Sequence, residues 1–143
     1  AARTAIRARA EKARSGATGM HEITAALLNA SVSADTRSRL PLALAYVRES
    51  LMRQDGEVYG RSCDALADAP AAAVERIACP VLLVTGDEDV VAPPQAVRLM
   101  AEKLHGAPAV RVAVLPRCGH WTPVERPEEC QRELREFLAG QRS

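Results

Sequence analysis

With 143 residues the chain has room for one domain with a real core. Apolar residues make up 48% and charged residues 26%, too apolar for a disordered chain, and no run of about 18 apolar residues is present to cross a membrane. Basic and acidic residues, 19 and 18, leave a formal charge of +1; with two Tyr, one Trp and one Phe, neither a basic field nor a stacking surface points to nucleic acid. Four cysteines (Cys63, Cys79, Cys118, Cys130) show no C-x-x-C spacing and no Cys/His cluster, so neither zinc nor a disulfide framework is expected, and the expected compartment is a reducing cytoplasm.

The first half reads as short amphipathic helices. Ala2 to Arg14 holds good helix formers, and Met20 to Asn29 carries Ile23, Leu27 and Leu28 at helical spacing. Pro41 suits the first turn of a third helix with Leu44, Val47 and Leu51 on one face. A fourth, from about Glu57 to Ala67, is expected to bury Val58, Cys63 and Leu66, with Asp55 placed to cap it. No strand-like alternation precedes residue 79.

After Cys79 strands and helices alternate. Pro80 to Thr85 is a continuous apolar run closed by Gly86, the pattern of a strand buried on both faces. Pro93 to Leu104 predicts a helix with Val97, Met100 and Leu104 on one side and Gly106 as its stop. Ala109 to Leu115 predicts a second strand, with Val110, Val112 and Val114 sharing a face. The final helix opens at Pro127, with Glu128 and Glu129 in its first turn and Cys130, Leu134, Phe137 and Leu138 as its core face.

Strand, helix, strand, helix predicts two neighbouring parallel strands of an α/β sheet. Two strands alone do not make a stable sheet. The remaining strands would have to come from sequence outside these residues or from another copy of the chain. The expected division is a helical region, 1–78, and a strand–helix–strand–helix region, 79–143.

Ligands of open α/β sheets bind beyond the carboxyl ends of the strands. Two loops leave such ends: Gly86-Asp87-Glu88-Asp89, and Arg117-Cys118-Gly119-His120-Trp121. Loops after adjacent parallel strands emerge on one edge, so an acid of the first can reach the histidine of the second. A carboxylate accepting the imidazole Nδ1–H fixes the tautomer and leaves Nε2 to act as a general base. Taken singly, the acids suit a turn or cap and the histidine a solvated loop. Cys118, beside Gly119-His120, is a candidate activated thiol. His21 and His105 sit at helix ends and suit solvent, and Arg3, Arg7, Arg9 and Arg14 suit a solvated helix face.

The stretches PVLLVTGDEDVVAPP and LPRCGHWTPVERPEECQRELREFL resemble the C-terminal part of the α/β-hydrolase family. The resemblance implies an α/β fold, here the C-terminal part of the parallel sheet with an N-terminal helical lid, most similar to 3-oxoadipate enol-lactonase and carboxylesterase relatives. It implies that Asp89, in Gly-x-x-Asp, is the triad acid ahead of Asp87 and Glu88. His120, in Gly-His, is then the triad base, and Trp121 is a candidate substrate-binding residue. The family's nucleophile stands in G-x-S-x-G, and no serine here does; the oxyanion loop and first strands are likewise absent.

The implied activity is hydrolysis of a small ester or lactone, with this chain supplying the triad Asp and His and inactive alone. A small acyl molecule is the substrate, no metal or organic cofactor is implied, and the partner is the N-terminal half of the fold, from the same gene or a separate polypeptide. A haloperoxidase-like or C–C bond hydrolase would use the same triad. The other class of reading is a non-catalytic assembly or binding module, a homo-oligomer among its forms, using the open edge of the first strand as an interface.

Overall fold

In the computed structural model, which describes residues 2–141, the chain forms two compact units. The first comprises Ala1–Asn29 with Ala45–Ala71, the second Ala30–Leu44 with Ala72–Ser143. The helices are α1 (Ala2–Arg14), α2 (Ala17–Ser31), α3 (Ala34–Arg39), α4 (Pro41–Met52) and α5 (Gly56–Asp68). After a 3-10 turn at Val74–Arg76 come β1 (Val81–Gly86), α6 (Pro94–Ala101), β2 (Val110–Leu115), α7 (Thr122–Glu125) and α8 (Pro127–Gly140).

The first unit is built on the pairing of α1 with α5. Ala10 and Ala13 of α1 are fully buried, and on α5 the buried positions are Gly60, Cys63 and Ala67. Small side chains on both helices permit close approach: a Cβ on Gly60 would stand 3.2 Å from the Ala10 carbonyl oxygen. This corrects the predicted face of α5, since Val58 and Leu66 are exposed. The stripe of small residues wins because the partner offers alanines. Met20 and Ile23 of α2 complete this core with Ala13, and Leu27 and Tyr59 pack on it. Arg14 clamps α1 to α5 through Glu57 at 3.1 Å and Asp64 at 2.6 Å. Asp55 caps α5, accepting from the Val58 N–H.

In the second unit β1 and β2 are parallel and paired in register from Val81↔Val110 to Gly86↔Leu115. Among the described residues β1 has this one strand neighbour. Val81 to Val84 are accordingly half-buried, not fully enclosed as the apolar run predicts, and burial is complete only at Thr85 and Gly86. On β2 the inward positions are Ala113 and Leu115, opposite in phase to the predicted Val110, Val112 and Val114 face. Helix α6 ends at Ala101, short of the predicted stop; Leu104 is buried beyond it, while Met100 is exposed. Leu134 and Leu138 of α8 are also exposed, because a two-stranded sheet covers only part of that helix. Arg111 of β2 ties α8 down through Glu133 and Glu136, at 2.6 and 2.8 Å.

Candidate active site

The loops after β1 and β2 are stitched together by backbone. Asp87 N donates to the Leu115 carbonyl and Glu88 N to the Cys118 carbonyl, both at 2.9 Å. The approach is close enough that a Cβ on Gly86 would lie 2.0 Å from the Cys118 carbonyl oxygen. Glycine at the strand end is therefore a steric requirement.

Asp89 occupies the centre of this junction and is buried. Its Oδ1 accepts the N–H groups of Val91 and Ala92, each at 2.8 Å. Pro93 and Pro94 follow and have no N–H, so these are the last donors before α6, and the carboxylate takes both. Its Oδ2 faces His120 Nδ1 at 2.9 Å. The Thr85 hydroxyl donates to the Ala92 carbonyl at 2.7 Å and stands 3.2 Å from the same Oδ2. Burial alone would raise the Asp89 carboxyl; the Ala92 N–H, the His120 ring and the Val91 N–H outweigh it, and the group lies below its ordinary value. An ionised Asp89 has no proton to give, so Nδ1 carries the hydrogen of this contact. The His120 side chain remains 43% exposed.

Asp87 and Glu88 serve other ends. Asp87 Oδ1 accepts Cys118 N at 3.0 Å, and Glu88 Oε2 accepts Ala34 N at 2.8 Å. Cys118 is fully buried, and burial followed by the charge of Glu125 pushes its thiol up to about 12. It stays protonated at neutral pH, so the activated-thiol possibility fails. Trp121 is half-buried, and its indole N–H donates to Ser31 Oγ at 3.1 Å. His21 and His105 are exposed.

Behind the histidine stand two further buried charged groups. Glu125, in α7, is 1% exposed and accepts Ser33 N at 2.9 Å, Gly119 N at 3.1 Å and Trp121 N at 3.2 Å. His120 N itself donates to the Ser31 carbonyl at 2.8 Å. Arg126, also buried, reaches Asp35 at 2.7 Å and donates to the carbonyls of Pro116, Arg117 and Glu125. The signal was Val-Glu-Arg-Pro-Glu, whose charges suit the exposed opening of a helix equally well. Among the described residues no group of His, Cys, Asp and Glu side chains could hold a metal ion, and no helix is long and apolar enough to cross a membrane.

The two carboxyl-end loops of this parallel β–α–β unit thus bring a buried aspartate against a histidine. Residues 2–133 match the Alpha/beta hydrolase family, and the chain belongs to it. It is similar to a thermophilic esterase from Thermogutta terrifontis, at 24% identity and TM-score 0.86, over 97% of this chain and 50% of that one. It is similar also to the enol-lactonase from Burkholderia xenovorans LB400, at 32% identity and TM-score 0.79, over 92% and 48%. An enzyme degrading N-acyl homoserine lactones matches at 26% identity and TM-score 0.65, over 82% and 47%. The chain thus spans about half the length of these structures. No curated protein matches it.

Proposed function

We propose that this chain carries the acid and base of a serine-hydrolase triad acting on a small ester or lactone. A serine on sequence outside these 143 residues attacks the acyl carbon, and His120 Nε2 takes its proton and returns it to the leaving oxygen. Asp89 holds the ring in that tautomer and stabilises the imidazolium. The observation that carries this reading is the 2.9 Å contact between a buried carboxylate and an imidazole still open to solvent. The likeness to an enol-lactonase and a lactone-degrading enzyme supports a lactone or ester as substrate. Trp121, pinned by Ser31, lines the acyl site, and the helical region before Cys79 has the sequence position of a lid.

The test is hydrolysis of p-nitrophenyl esters and small lactones by this chain joined to a segment bearing G-x-S-x-G. His120→Ala is expected to cut kcat/KM by roughly 10⁴-fold or more, and the isolated chain is expected to be inactive. Full activity of His120→Ala in the joined protein removes His120 from the mechanism.

A second reading, an assembly module, draws on the edge of β1 that has no strand partner among the described residues and on the exposed Val91, Leu99 and Met100. It predicts stable self-association of the chain by light scattering, and no gain of esterase activity with any nucleophile-bearing segment.

A further inference from the structure

The imidazole contacts Asp89, but what aims it lies behind the backbone. Three successive amides, Gly119, His120 and Trp121, are all spoken for by two acceptors. Glu125 Oε1 takes the first and third, and the Ser31 carbonyl takes the second. Glu125 Oε2 takes the amide of Ser33, so one carboxylate fastens the residues on both sides of His120 to the segment that also holds His120 itself. No slack is available: a Cβ on Gly119 would stand 2.5 Å from the Ser31 carbonyl oxygen and 2.9 Å from Glu125 Oε1. Burying a carboxylate is costly unless it is hydrogen-bonded, and here three N–H donors meet its two oxygens. Each of these three bonds is to a main-chain amide, so they act on His120 through the backbone.

We infer that Glu125 is a positioning residue, holding the 119–121 backbone so that the His120 ring meets Asp89 in line. The inference rests on the proposed acid–base role of His120 and adds a group outside the triad. Glu125→Gln keeps the shape but replaces one acceptor oxygen with an NH2 group. That group must face either Ser33 N or the Gly119 and Trp121 amides, donor against donor. One anchor is lost, and the ring drifts relative to Oδ2. A shift of order 1 Å costs on the order of 10²-fold in rate for a catalytic group.

The readout is the His120 Nδ1–H proton signal by NMR in the full 143-residue chain, set against the urea midpoint of each variant. The stability control is Leu104→Ala, a buried residue outside the loop. The expected result is loss of the signal in Glu125→Gln and its retention in Leu104→Ala at matched stability. Retention in Glu125→Gln overturns the inference, as does equal loss in both variants, which would tie the signal to stability alone. Absence of the signal from the wild-type chain would refute the Asp89–His120 coupling itself. If the signal behaves as expected and the joined protein hydrolyses no ester, the proposed function fails while the positioning role stands.

Discussion

Replacing Asp89 by Asn separates charge from shape. The Asn side-chain oxygen takes the place of Oδ1 and accepts from Val91 and Ala92, whose N–H groups lie 2.8 Å from it. A hydrogen bond to a carboxylate is worth about 1 kcal/mol more than one to a neutral oxygen, so the two together weaken by about 2 kcal/mol. The NH2 group falls where Oδ2 faced Nδ1 at 2.9 Å. Two donors then oppose each other until the ring gives up its Nδ1 hydrogen, adding to the loss.

The sign with pH follows from the depressed Asp89 carboxyl. A group lowered on folding stabilises the fold above its ordinary value, about 3.9, and that stabilisation is lost as pH falls through the lower folded value. The wild-type chain should therefore lead Asp89→Asn by about 2 kcal/mol at pH 7, with the lead shrinking below about pH 4. Trp121, the one tryptophan, reports unfolding of this unit by fluorescence. With a urea slope of about 1–3 kcal/mol/M, the midpoint moves by about 1 M at pH 7. An equal gap at pH 7 and pH 3, or a more stable Asn variant at pH 7, would refute the charge argument.

Gly119→Ala places a methyl 2.5 Å from a carbonyl oxygen, and the expected loss is about 1–3 kcal/mol, as for other overpacked sites, read by urea unfolding. Maleimide labelling with peptide mapping should modify exposed Cys79 in the native chain and leave Cys118 untouched until urea unfolds it, in keeping with its burial and raised thiol. Rapid native labelling of Cys118 would contradict both.

The motifs were legible because their residues act through local chemistry. Gly86 ends a strand and Asp89 turns the chain two residues on, while the prolines at 93 and 94 leave Val91 and Ala92 as its last available donors. The pairing of Asp89 with His120 follows from adjacency of parallel strands, a rule of topology that two apolar runs and a helix are enough to invoke. Glu125 was not legible in that way. Its burial depends on Ser33, whose amide it binds from 92 positions away, and no periodicity within a four-residue helix reports that. The buried face of α5 is hidden from the sequence for a related reason: hydrophobicity favours Val58 and Leu66, but Ala10 and Ala13 select small partners. That residues 30–44 group with the strands, and not with the helices flanking them in sequence, is likewise a matter of distant contacts such as Arg126 with Asp35.

The span between partners has a consequence for the order of assembly. Asp89 and His120 are 31 positions apart, whereas Ser33 and Glu125 are 92 apart. Closing the longer loop costs about 1 kcal/mol more in chain entropy. Asp89 and His120 can meet as soon as their strands pair, but the amide of Ser33 stays with water until α7 has formed. During synthesis Ser31 and Ser33 emerge long before the carboxylate that will capture them. The amides of Ser33, Gly119 and Trp121 therefore share their acceptor only once α7 is in place.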